Sequence, residues 1–418
     1  MPEVEITAMT FGPYAVGHLD GKTVMVPHAA PGDRLDLAIT AERRGHAIGR
    51  IARVIAPGPA RRAAPCPFLP RCGGCDWQHL DYPAQAALKA ELIAAEFRRA
   101  LKIELDPRGL LAPAPAEFGY RSRVRFKTGA NGLVGYHEAG SNSIVAIDRC
   151  MVADDAIRVP AALVGALGRR CTEIEVVADR GGEVLVAHLD RAPGGGECAR
   201  ARRVIDGDDG ACIRGVVLRG GGARTVVGDA SIAIELEPGC TIEIDADLFT
   251  QVNREQNRRL VAAVVAMAAV EAQTPVLDLF CGAGNFSLPL ARRGAQVTGV
   301  DADPLAIAGA ARNAARMGLG GAQFIAMKAA ETALFFARAR YRPALVVVDP
   351  PRIGAPELMA PIGRLRPRAI IYVSCDTATL VRDLQSLRTC GYEIDQVRAF
   401  DFFPNTHHAE VAVHALLT

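Results

Sequence analysis

The chain has 418 residues, 50% of them hydrophobic and 22% charged, which is enough for two or three domains with full cores and excludes a disordered or fibrous chain. A net charge of +2 gives no global pull towards nucleic acid. Eleven cysteines with no basic, apolar leader over residues 1–10 predict a reducing cytoplasm, and the longest apolar run, residues 260–270, is too short to cross a bilayer, so no membrane role is expected.

Residues 1–62 carry strand signals at 4–7, 22–27, 34–39 and 47–55, evenly spaced with turns between them. This predicts a small β-barrel, closed off by the linker Pro57-Gly58-Pro59.

Residues 63–245 form a middle segment. It opens with Cys66-Pro67-Phe68-Leu69-Pro70-Arg71-Cys72-Gly73-Gly74-Cys75. Proline and glycine keep this stretch out of helix and strand, so the chain can wrap a ligand. A fourth candidate, Cys150, lies far downstream. Four thiolates suit a 4Fe–4S cluster and equally a structural zinc, and the spacing does not choose between them. Tyr82–Leu101 reads as one amphipathic helix with an apolar stripe of Ala86, Leu88, Leu92, Ala95 and Phe97. Arg121, Arg123, Arg125 and Lys127 alternate at strand period, which puts four cations on one face. That face is either a wall for phosphates or a solvated sheet surface. Strand signals and glycine turns up to residue 245 predict a β-rich fold, with Cys171, Cys198, Cys212, Cys240 and Cys390 as ordinary buried thiols.

Residues 246–418 switch to alternating strand and helix, the pattern of a parallel sheet. Strands are predicted at 276–280, 296–300, 322–327, 345–348, 369–374 and 393–400. Leu277 to Ser287 is a strand, a Gly282-Ala283-Gly284 turn and a helix start, and Asp301 ends the next strand, where a carboxylate can take both ribose hydroxyls. The third glycine of the dinucleotide fingerprint is missing, which argues against NAD. Asp349-Pro350-Pro351-Arg352 leaves a buried strand with its carboxylate held over the crevice. Cys375 follows another strand, and a helix starting near Thr377 should aim its dipole at the thiol and lower its pKa. Phe403 to Val411 brings Glu410 to the start of a last apolar strand.

Together these phrases resemble the RNA uracil-5-methyltransferases, and most closely the iron–sulfur branch typified by the 23S ribosomal RNA enzymes. The matching stretches are Cys66-x5-Cys72-Gly73-Gly74-Cys75 with Cys150, Phe249-Thr250-Gln251-Val252-Asn253, residues 277–286, Asp349-Pro350-Pro351-Arg352, Val373-Ser374-Cys375 and His407-x-x-Glu410. The resemblance covers nearly the whole chain. It implies an α/β, Rossmann-like class I methyltransferase domain at 246–418, an OB-like TRAM barrel at 1–62 and a β-rich middle domain at 63–245 carrying the cluster. It implies Gln251, Phe280, Asp301 and Asp349 as S-adenosyl-L-methionine contacts, Cys375 as nucleophile and Glu410 as proton-abstracting base. Cys66, Cys72, Cys75 and Cys150 would hold a 4Fe–4S cluster. The expected partner is RNA, ribosomal before transfer RNA, bound by a monomer.

Two positions depart from that pattern. Asp376-Thr377 follows Cys375 where the family has Asn-Pro, and a carboxylate there raises a neighbouring thiol's pKa. Lys328 stands where Asn or Asp is expected near the adenine. The rival readings are an amino-methyltransferase, disfavoured by Arg352 and Cys375, and a non-catalytic iron–sulfur RNA-binding protein.

Overall fold

The computed structural model describes residues 1–129, 132–207 and 212–418. Strands β1 (Glu3–Met9), β2 (Tyr14–Leu19), β3 (Lys22–Pro27), β4 (Arg34–Glu42) and β5 (His46–Ala56) close into a barrel in the order β1-β2-β3-β5-β4. The sequence reading missed β2, whose two glycine-containing turns mask its alternation. Alternate residues of these strands, Val4, Ile6, Val24, Val26, Leu35 and Leu37, fill the barrel. Asp33, with no exposure, pairs with Arg61 at 2.6 Å and fastens the linker to it.

Helix α1 (Tyr82–Leu101) starts at an Asp81 cap, whose carboxylate accepts from the Ala84 N–H at 2.8 Å. It has two working faces. Ala90, Ile93, Ala94, Phe97 and Leu101 enter the core of the C-terminal domain, while Leu88 and Leu92 pack on the barrel core with Trp77 and Leu80. The predicted stripe is therefore rotated: Ala95 is exposed, and the buried face includes Gln85 and Lys89, which a hydrophobic pattern cannot count as inward. The short β6 (Leu111–Ala112) then pairs with the edge of the C-terminal sheet. The chain thus visits that domain before it builds the middle one.

The middle sheet joins β7 (Arg123–Thr128), β8 (Val134–His137), β9 (Ile144–Ala146), β10 (Cys171–Asp179), β11 (Gly182–Leu189), β12 (Ile213–Gly220) and β13 (Ala223–Gly228) in the order β13-β12-β11-β10-β7-β8-β9. Helices α2 (Ala161–Leu167) and α3 (Gly195–Ile205) lie against it. The cation stripe lies on β7, and its register settles what it faces. Lys127 stands opposite Glu173 and Arg125 opposite Glu175 on β10. Lys127 and Arg125 pair with Glu173, and Arg123 and Arg125 with Glu175. Three of the four cations are thus engaged by two carboxylates within the sheet, which favours the solvated-surface reading of the stripe. Of the supposedly buried thiols, Cys212 is exposed.

A hairpin of β14 (Ser231–Glu237) and β15 (Cys240–Asp245) leads into α4 (Arg254–Ala268). The last domain follows as β16 (Pro275–Leu279), α5 (Ser287–Arg292), β17 (Gln296–Asp301), α6 (Pro304–Arg316), β18 (Ala322–Ala326), α7 (Ala329–Arg338), β19 (Leu345–Val348), α8 (Pro356–Leu365), β20 (Ala369–Ser374), α9 (Thr377–Thr389), β21 (Tyr392–Phe400) and β22 (Glu410–Leu417). The sheet runs β18-β17-β16-β19-β20-β22-β21-β6, parallel through its centre, with β22 antiparallel to both of its neighbours. Among the described residues no helix is long and apolar enough to cross a membrane.

The parts meet at the loop after β21. Lys89 and Asp401, both without exposure, pair at 2.7 Å, and the Lys89 ammonium also donates to the Phe403 carbonyl at 3.0 Å. Gln85 accepts from the Asn405 N–H at 2.7 Å. Asn253 and Gln256 at the head of α4 donate to the carbonyls of Phe402 and Asp401 at 3.2 and 3.1 Å. Burial pushes Lys89 below its ordinary pKa, and Asp401 pulls it back. Removing either charge leaves the other buried and unpaired. Lys89→Ala should therefore cost about 3–5 kcal/mol, read as a lower urea midpoint, whereas an effect under about 1 kcal/mol would mean that water reaches Asp401.

Candidate active site

The reactive groups gather on one edge of the C-terminal sheet, beyond the carboxyl ends of its parallel strands, where open α/β sheets bind ligands. Strand β16 delivers Asp278 and Phe280, β17 delivers Asp301, β19 delivers Asp349 and β20 delivers Cys375. Strand β22 runs the other way, so its first residue lies at the same edge. Ser374 pairs with Val411, and the next step of that antiparallel register sets Cys375 across from Glu410.

The turn after β16 is built for close approach. Phe280 takes φ 63°, a left-handed conformation costly for a bulky residue, and Gly282 and Gly284 follow at 54° and 97°. No atom lies within 4 Å of where a Gly282 Cβ would sit, so the backbone faces an open cleft. The Asp301 carboxylate is oriented from behind by the N–H groups of Gly282 at 3.0 Å and Asp303 at 2.9 Å. Gln251 is half-buried in the segment before α4, which Ser122 ties down through two bonds to the Val252 carbonyl at 2.8 and 3.0 Å. The glycine turn and the fixed carboxylate fit S-adenosylmethionine. Lys328 does not join them: its side chain is 77% exposed and reaches Glu331 at 3.8 Å.

Three acids at this edge, Asp278, Asp349 and Glu410, are raised above the ordinary carboxylate range. Burial pushes Asp278 up to about 7, with the Ser287 hydroxyl pulling it back. Burial and then Asp278 push Asp349 up to about 7. Glu410 lies well above its ordinary range, through burial and then Asp349. Cys375 is pushed up to about 12 by burial first, then by Glu410 and Asp349, while Arg352 pulls the other way. The expectation that the α9 dipole would acidify this thiol is corrected: desolvation and carboxylates outweigh one helix end. Asp376 adds to the rise, as its position suggested, and its carboxylate caps α9 by accepting from the Thr379 N–H at 3.0 Å. Arg352 stands 3.5 Å from Asp376.

Cys66, Cys72, Cys75 and Cys150 line one cavity, together with Phe68, Gln78, Arg121 and Tyr136. Burial raises the Cys66 and Cys72 thiols and takes Cys75 to about 12. Sequence reasoning did not find Asp76 or Asn405. Asp76 is masked by the cysteine beside it, and nothing in the residue type marks Asn405, which is fully buried at φ 69°.

This sheet edge defines a class, the S-adenosylmethionine-dependent methyltransferases. A family model described as tRNA (Uracil-5-)-methyltransferase matches residues 240–417. The 23S rRNA (uracil(1939)-C(5))-methyltransferase RlmD of Edwardsiella ictaluri is 33% identical, over 94% of this chain and 91% of that protein. The RlmD of Methylococcus capsulatus is 34% identical, over 94% and 92%. In fold, the chain matches the Pyrococcus abyssi tRNA (uracil-54, C5)-methyltransferase, solved with S-adenosyl-L-homocysteine, with a TM-score of 0.76 over 99% of both chains at 23% identity. The chain belongs to the RNA uracil-5-methyltransferase family and is an S-adenosylmethionine-dependent enzyme of that kind.

The raised acids carry a sign for stability. Unfolded, Asp278 releases its proton near 4; folded, it does so at about 7. Its contribution is present below about pH 4 and is lost as pH rises through about 7. Asp278→Asn has no proton to lose, so its denaturation midpoint should gain on the wild type between about pH 5 and about pH 8. A constant difference across that range would mean that Asp278 is ionised in the native protein.

Proposed function

We propose that this enzyme methylates carbon 5 of a uridine in 23S ribosomal RNA through a covalent adduct with Cys375, and that Glu410 removes the carbon 5 proton. The observation that carries the reading is the register of β20 and β22, which sets a thiol and a buried carboxyl across from each other at the edge where the glycine turn opens. The relatives named for 23S ribosomal RNA, matched along nine-tenths of their length, favour that RNA over tRNA.

Carbon 5 of uracil is too weak a nucleophile to be methylated directly. The Cys375 thiolate adds to carbon 6, and the ring's π electrons move on to oxygen 4 as an enolate. Carbon 5 then has a pair to share with a methyl group. Glu410 takes the carbon 5 proton, the freed pair re-forms the double bond, and the thiolate leaves. Bound against Gly282, Asp301 and Asp349, S-adenosylmethionine would supply an electrophilic methyl on a cationic sulfur, whose charge favours the ionised forms of Cys375, Asp349 and Glu410. The uridine must leave its stack to enter this edge.

Cys375→Ala should abolish methyl transfer and keep S-adenosylmethionine binding by calorimetry. Glu410→Gln should add the thiol and transfer the methyl, then stall, leaving a methylated RNA–protein adduct on denaturing gels. Normal turnover by either variant would remove its residue from the mechanism. Mapping 5-methyluridine in RNA from cells lacking the protein separates ribosomal from transfer RNA.

The four cysteines lining one cavity support a 4Fe–4S cluster. Protein purified without oxygen should be brown, with about four irons per chain. Colourless protein carrying zinc would replace the cluster.

A further inference from the structure

Asp76 stands one residue beyond Cys75, yet both of its oxygens serve the chain that ends in Glu410. Oδ1 accepts from the backbone N–H of His407 at 3.1 Å, and Oδ2 meets Nδ1 of the same residue at 2.5 Å. The backbone adds two more links: the N–H groups of Asp76 and Trp77 both donate to the Asn405 carbonyl, at 3.1 and 3.0 Å. Trp77 is a firm footing for them. It is fully buried in the barrel core, and its ring N–H donates to the Gly12 carbonyl at 3.2 Å. Asp76 and His407 are 19% and 17% exposed, so water competes little for the contact. Beyond it, the His407 ring packs 3.9 Å from that of His408, and Glu410 opens β22 two residues later.

We propose that Asp76 is a positioning residue for the catalytic base. Its carboxylate fixes the 405–407 turn and so sets where Glu410 points across Cys375. Misplacement of a base by about an ångström costs about a hundredfold in rate while leaving ligand binding alone. The step that suffers is removal of the carbon 5 proton, because thiol addition and methyl transfer do not use Glu410. The inference rests on the reading of Glu410 as base.

The test uses the full-length protein with its metal site loaded, and 23S ribosomal RNA from cells lacking the protein. Asp76→Ala should lower kcat about a hundredfold with the KM for S-adenosylmethionine unchanged, and the methylated adduct should accumulate. Asp76→Asn should restore most of the turnover, because its amide oxygen still accepts from the His407 N–H. Wild-type turnover by Asp76→Ala overturns the proposal. So does a kcat loss without adduct, or a loss of bound iron in step with kcat, which would assign Asp76 to folding of the cysteine loop. Glu410→Gln is run alongside. If it traps adduct and Asp76→Ala does not, the base stands and the clamp fails; if Glu410→Gln traps none, the base assignment fails and takes the clamp with it.

Discussion

The loop from Asp401 to His407 is where this molecule is held together, and the buried Lys89–Asp401 pair is its fixed point. A lysine and an aspartate without exposure are costly to desolvate and tolerable only when each meets the other and further hydrogen bonds. Here the ammonium has two oxygens, Asp401 Oδ1 and the Phe403 carbonyl. Around that point the turn is bound by α1 through Gln85, by α4 through Asn253 and Gln256, by the cysteine loop through Asp76, and by Tyr120, which donates to the Pro404 carbonyl at 3.0 Å. Helix α1, helix α4, the cysteine loop and the segment before β7 each contribute a polar group, so the turn has one geometry. It is also the turn that launches β22 and Glu410.

The reaction edge follows a different logic. It gathers groups that repel when charged, and burial raises the pKa of each. Asp278 raises Asp349, Asp349 raises Glu410, and Asp349 and Glu410 both raise Cys375. A thiol held as a thiol in the resting protein is slow to react with adventitious electrophiles and oxidants, since only the thiolate is a strong nucleophile. On the mechanism proposed above, reactivity is thereby reserved for the occupied site.

The sequence was legible where chemistry is local. The glycine turn, Asp-Pro-Pro-Arg, the residues before Cys375 and the alternation of strand and helix all report on a few neighbouring residues, and the structure places them as read. It was illegible where the decisive partner lies far along the chain. Lys89 and Gln85 belong to a buried face only because Asp401 and Asn405 come 312 and 320 residues later. The cations of β7 read as open until Glu173 and Glu175 arrive opposite them on β10. The thiol's acidity was misjudged for the same reason: the helix that follows Cys375 is visible in sequence, while the carboxylates stacked behind it by strand order are not.

The position of β22 has a consequence for how the protein is made. Of the strands in the main sheet it is synthesised last, yet it sits inside the sheet, between β20 and β21. Until it emerges from the ribosome, β20 and β21 have bare edges at which a stray strand can pair. Closing the sheet and delivering Glu410 are then one event, so on the mechanism proposed above a chain with its sheet still open lacks its base.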